Sequence, residues 1–356
     1  MNKQFADFIT PGFLYGAAIV FGVITALIVA AIYFFLAAKK RKFFERQGME
    51  NILNEWISIA VINDEPVHIH VSPELLDYFK TQAHRQFAIE LLVKSKKNLT
   101  GVAAINLKML YEQLELQYDS VKKLKSTQWH MRVQGIFELY MMEQSLYAET
   151  ISKFTNDYNE DIRNEAQIAN VAFQGFDGLS FLDELSYDLL EWQQIELLER
   201  LRPLDPRPMR NLPKWIQSSN EYVVVFALKL AEIYQAYEVK EDAVSRLSDS
   251  NQKIRSQAIK TLAKIGDEQL IPTLLQRYEQ ESIELKLEIL HALSDVGGKE
   301  QNEFYLKELN EGNNEVKLAA MFALAKTRTA EAYTIAEGKG ELYQSIYAHV
   351  KQELSR

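Results

Sequence analysis

Apolar and polar positions alternate differently along successive parts of this chain. From Phe8 to Ala38 there is no charged residue, and the run GFLYGAAIVFGVITALIVAAIYFFLAA is apolar on every side of a helical wheel. Crossing ~30 Å of hydrocarbon takes roughly 20 residues at 1.5 Å rise, so the pattern predicts one membrane-spanning helix over residues 12–38. Tyr15, Tyr33, Phe34 and Phe35 lie towards its ends, where aromatic rings favour the headgroup zone. A secretory signal peptide has a shorter apolar core and a small-residue cleavage site, which makes it the poorer reading.

Beyond Ala38 the pattern changes. Lys39, Lys40, Arg41 and Lys42 follow the apolar run. By the positive-inside rule they keep the following chain cytoplasmic and leave residues 1–11 as a short extracytoplasmic N-terminus. The expected location is therefore the inner membrane, single-pass. Residues 39–71 read as a basic juxtamembrane and connector segment, with an amphipathic helix over 43–60 and a hairpin or extended stretch around Asn63–Pro66. His68 and His70 would share one face there, but they lack a third ligand at metal-site spacing. Ser72, Pro73 and Glu74 form a helix-start signal that opens the folded region 72–356.

Within that region a phrase recurs. Arg132, Arg163, Gln194, Val224, Arg255, Lys286 and Lys317 are 31 residues apart, with one step of 30. Three residues further on stand Gly135, Ala166, Leu197, Ala227, Ala258, Ile289 and Ala320, and one step back lies Ala104. A second apolar run keeps step through Ile151 and Leu182, then through Val244, Leu275 and Leu306. Each unit thus reads as two helices. In IRSQAIKTLAKIG the stripe is Ile254, Ala258, Leu262 and Ile265, with Gly266 as an expected left-handed stop. Neither helix of a pair can bury its stripe alone, so neighbouring pairs must stack. The expected fold is all-α: one transmembrane helix followed by an α-solenoid of about eight helical pairs.

The unit resembles a HEAT repeat, of the short bacterial type also seen in phycobilin-lyase-like proteins, over roughly residues 100 to 350. The resemblance implies a polar ladder between successive units, made by an Asp ahead of the first helix and an Arg inside it. Asp157 with Arg163 and Asp249 with Arg255 match this pattern; Lys286 and Lys317 substitute for the Arg, and the units at Gln194 and Val224 lack the ladder residues. It also implies a likeness to membrane-anchored HEAT-repeat proteins of bacteria that accompany polysaccharide-forming glycosyltransferases.

Composition narrows the function further. With 14 Gly and 8 Pro in 356 residues, helix is favoured over sheet, and the absence of cysteine excludes disulfides, thiolate metal sites and thiol nucleophiles. Residues 1–46 hold six basic and two acidic side chains, so the remainder carries a net charge of -13 and offers no basic face for nucleic acid. No phosphate loop, nucleophile elbow or Walker sequence occurs, and His84, His130, His291 and His349 are scattered. Neither a catalytic site nor a cofactor is expected. The proline-rich stretch 199–215 carries Arg202, Arg207, Arg210, Lys214 and Trp215, a candidate loop for docking an acidic partner. The leading reading is a membrane-anchored cytoplasmic scaffold that binds a protein partner, such as a membrane glycosyltransferase or another envelope complex. A small-ligand-binding or lyase-like HEAT protein is the alternative, and a plain structural tether is a third class.

Overall fold

A computed structural model describes residues 11–71, 76–206, 208–327, 332, 334–335, 338 and 340–354. The segment 1–10, the helix start at Ser72, Pro73 and Glu74, and Arg207 lie outside the described residues. Helix accounts for 79% of the structure and no strand occurs among the described residues, so the all-α expectation holds. The chain divides into two compact units, Met1–Ser145 and Leu146–Arg356.

In the first unit, α1 (Pro11–Ile62) is one helix of 52 residues, so the apolar run and the juxtamembrane helix are continuous. Residues 14–41 of it are exposed, and the helix has the length and composition to cross a membrane. Its last part is gripped. Met49, Leu53, Trp56 and Ala60, spaced 4, 3 and 4 apart, form one buried stripe against Ala88, Ile89 and Leu92 of α2 (Gln82–Lys96) and Leu107, Leu110 and Tyr111 of α3 (Gly101–Gln113). Residues assigned from sequence to a connector therefore belong to a core.

After Ile62 the chain bends at 64–65 and continues to residue 71 as neither helix nor strand. Its alternation is real: Ile69 is buried, Val67 and Val71 pack on the core, and His68 and His70 face solvent. Asn106 of α3, fully buried, secures this strap. Its Nδ2 donates to the carbonyls of Ala60 (3.0 Å) and Glu65 (3.2 Å), and its Oδ1 accepts from Val67 N–H at 2.8 Å. Every polar atom of this amide has a partner, as burial demands.

The unit is completed by α4 (Gln117–Leu124) and α5 (Trp129–Met141). Their backbones meet at Gly135, where a Cβ would fall on the backbone nitrogen of Leu124 and 2.7 Å from the carbonyl oxygen of Ser120. The first member of the small-residue column is thus set by backbone contact. Beneath the approach, Glu138 and Lys123 pair at 2.5 Å while nearly excluded from solvent, and Glu138 also accepts from Ser120 at 2.5 Å.

In the second unit the helices are α6 (Ala148–Ser152), α7 (Glu160–Gln174), α8 (Glu191–Leu201), α9 (Leu212–Ile216), α10 (Glu221–Ile233), α11 (Lys240–Ser245), α12 (Gln252–Ile265), α13 (Ile271–Tyr278), α14 (Ile283–Val296), α15 (Asn302–Glu311), α16 (Asn314–Lys326) and α17 (Glu341–Leu354), with first and second helices alternating from α8 to α16. The seven recurrent positions from Arg132 to Lys317 each fall on the fourth residue of a first helix, from α5 through α16. The column three residues on is buried in every case, including the bulky Leu197 and Ile289. Consecutive first helices α10, α12, α14 and α16 pack directly on one another.

Two expectations change. Val244, Leu275 and Leu306 are only half-buried. The buried column is Ile151, Leu182, Leu212, Ala243, Leu274 and Tyr305, because the single 30-residue step falls between Gln194 and Leu212 and shifts the later units by one position. Gly266 is extended (φ -83°), not left-handed. Left-handed residues do end α3, α5 and α10, but they are Glu115, Glu143 and Gln235. At Gly266 the requirement is space, since a Cβ would collide with the Leu262 carbonyl and the Leu270 side chain. The second helices are the irregular ones: a 3-10 stretch Gly175–Asp183 replaces one, and α6 and α9 have five residues each.

Gly135→Ala is expected to destabilise the protein by ~1–3 kcal/mol, because the added methyl meets backbone that cannot rotate away. The gain in helix propensity, up to ~1 kcal/mol, does not offset this. Thermal denaturation of the detergent-solubilised chain, followed by circular dichroism, measures it.

Candidate partner-binding surface

The loops entering the first helices are built on a shared device. Asn159, Asn220, Asn251 and Asn313 precede α7, α10, α12 and α16, and each side-chain oxygen accepts from a first-turn N–H at 2.8–3.1 Å. Two residues earlier, Asp157, Ser218 and Asp249 accept from the N–H of that Asn at 2.9, 3.1 and 2.9 Å. These asparagines, four residues before each recurrent position, carry a sequence signal that the Ile-Arg-x-x-Ala phrase leaves out.

The ladder differs from the resemblance. The carboxylates of Asp157 and Asp249 serve their own loops. It is their carbonyls that accept from Arg163 Nη1 (2.8 Å) and Arg255 Nη1 (2.9 Å), within one unit. Contact with the next loop comes from the far side of each guanidinium: Arg163 lies over the Tyr187 ring at 4.2 Å, and Arg255 clamps Glu281 with Nη2 at 2.9 Å. Lys286 and Lys317 sit over the rings of Tyr278 (4.9 Å) and Tyr343 (5.9 Å). Glu281, with a buried side chain, also pairs with Arg277 at 2.7 Å. Burial alone would raise its pKa, but the hydrogen bonds and charges of Arg255 and Arg277 outweigh it and hold the carboxyl below its ordinary value.

Two of the cations in the 202–214 stretch are paired with acids outside it. Lys214 Nζ pairs with Asp183 at 3.2 Å and Arg202 with Glu199 at 3.2 Å. Trp215, expected at the tip of a docking loop, is buried at 3% exposure, with its Nε1 donating to Asp183 at 2.6 Å. The Trp is removed from any docking surface by the second-helix packing of α9. Arg210 remains exposed, on the rim of a cleft floored by Phe176, Met209 and Trp215. Among the described residues no group of three or more His, Asp or Glu side chains is placed to hold a metal ion.

A different surface stands out in the repeat register. The outward position occupied by Lys253, Glu284 and Glu315 in α12, α14 and α16 holds Trp192 in α8 and Tyr222 in α10. Another outward column reads Lys264, Asp295 and Lys326 in the later helices, where Asp295 bridges both lysines, and Ile233 in α10. Trp192, Ile195 and Ile233 are 50%, 55% and 53% exposed. Polar residues frame this face: Lys229 Nζ lies 3.8 Å from Glu191, and Tyr222 hydrogen-bonds to Asp188, which raises its pKa. The apolar substitutions fall in the two units that lack ladder residues. Trp192 is an aromatic at helical spacing of the kind that usually enters a core, and the structure turns it outward.

Residues 241–325 match a family model described as HEAT repeats, which places repeats of that kind over α11 to α16. No curated protein matches the chain.

The depressed pKa of Glu281 sets a pH dependence. The group binds fewer protons folded than unfolded, so its contribution is full above the unfolded value near 4.5 and is lost as pH falls through the lower folded value. Glu281→Gln is expected to remove this part of the acid dependence and to lower stability at pH 7. Urea unfolding from pH 3 to pH 7 of both proteins measures the difference.

Proposed function

We propose that the protein is a membrane-anchored scaffold that holds a protein partner against the outward face of α8 and α10. The observation that carries the reading is the exposure of Trp192, Ile195 and Ile233, with Trp192 standing where later units hold Lys253, Glu284 and Glu315 and Ile233 where they hold the paired Lys264, Asp295 and Lys326. HEAT repeats are commonly protein-interaction modules, and interface hot spots favour Trp set among polar neighbours. The long exposed apolar part of α1 supports anchoring. The cluster Lys39–Lys42 supports a cytoplasmic location for the two units by the positive-inside rule. An envelope complex containing a polysaccharide-forming glycosyltransferase is the partner class that the family resemblance favours. No catalytic role is assigned to the chain.

A photo-crosslinking amino acid at position 192, in intact cells, is expected to give a discrete adduct with a second protein, and one at Lys253 none. Trp192→Ala with Ile195→Ala should reduce partner recovery about 30-fold, the equivalent of a ~2 kcal/mol hot spot. Equal adducts at both positions, or unchanged recovery, would refute the surface.

A further inference from the structure

Resting on the membrane-anchored reading, we infer that the segment from Lys39 to Arg46 is an interfacial collar that seats the first unit on an anionic phospholipid leaflet. Phe43 and Phe44 are 61% and 57% exposed, although they lie past the basic cluster on a stretch otherwise rich in charge. Their rings meet edge to face at 5.9 Å, Lys40 Nζ lies 5.9 Å from the Phe44 ring, and Arg46 lies over Phe87 of α2 at 4.5 Å. Exposed rings bracketed by cations are unfavourable in water and well matched to headgroups, where the ring is half-desolvated and the cations meet phosphate.

The length of α1 fixes where the collar must sit. From Tyr15, 74% exposed, to Phe44 the unbroken helix rises about 43 Å, the thickness of a bilayer with its headgroups (~40–45 Å). Tyr15 then marks one interface and Phe43–Phe44 the other. Tyr33, Phe34 and Phe35, assigned to the interface from sequence, fall inside the hydrocarbon. Met49, the first buried residue of the core stripe, is five residues past Phe44, or about 7.5 Å of helix rise. With no break in α1 between them, the first unit has no flexible tether and must ride on the headgroup layer. Lys39, Lys40, Arg41 and Arg46 give this contact its preference for negative lipid.

The chain has no cysteine, so single bimane labels report position cleanly. The full-length variants Ala26→Cys, Phe43→Cys and Ile62→Cys are reconstituted into bilayers whose phosphatidylglycerol or phosphatidylcholine is brominated deep in the acyl chains to report on position 26 and near the headgroup to report on positions 43 and 62. Expected are quenching at positions 26 and 43, none at 62, and severalfold stronger quenching at 43 by the brominated anionic lipid. Quenching at 26 with none at 43 overturns the collar and leaves the span intact. No quenching at 26 overturns the span and the collar together. Equal quenching at 43 by both lipids overturns the anionic preference.

Discussion

The constraint on which the second unit depends is that no helix pair there can bury its apolar stripe by itself. Burial is completed between units, so each unit must present the same columns at the same height as its neighbour. Ala166, Ala227, Ala258 and Ala320, all fully buried, are the residues by which first helices meet this condition, and Ile151 through Tyr305 are their counterparts in the second helices. A fixed repeat length follows from the geometry. The one contraction, between Gln194 and Leu212, occurs where the second helix is reduced to five residues and a loop absorbs the change.

Polar chemistry then locks the stack. Asn caps set where α7, α10, α12 and α16 begin, and at the first three of these an Asp or Ser two residues before holds the loop that delivers the Asn. Arg163 and Arg255 tie that loop's carbonyl to the loop of the following unit. Arg255 with Glu281 is the strongest of these ties, because the carboxylate is buried and bridges two guanidinium groups, so removing either partner strands a charge. Exposed bridges such as Lys260 to Glu288 contribute little to stability and mainly fill the outward columns with satisfied charge.

Much of this was legible in the sequence, for physical reasons specific to each element. The apolar run of α1 and the 31-residue register are long, strongly periodic signals, and they located every first helix from α5 to α16. The second helices were harder to place because they are short, and a one-residue contraction moves their buried face. Trp215 and Trp192 show the limit most directly: each is a Trp amid charged residues, yet Asp183 offers one a buried hydrogen-bond partner, while the other sits on the outer face of α8. Only the packing of neighbouring helices distinguishes them. The continuity of α1 into the first core was also hidden, since the same residues suit a free amphipathic helix.

The central claim is that stacking is complete without the exposed side chains of Trp192 and Ile195 on α8, which are therefore free to serve a partner. The direct measurement is the unfolding free energy of the Trp192→Lys, Ile195→Ser protein, which carries the side chains found at the equivalent positions of α12. A change within ~0.5 kcal/mol, as for surface positions, is the expected result. A loss of ~3 kcal/mol or more, the scale of a truncated core aromatic, would show that these residues hold the fold together and contradict the claim.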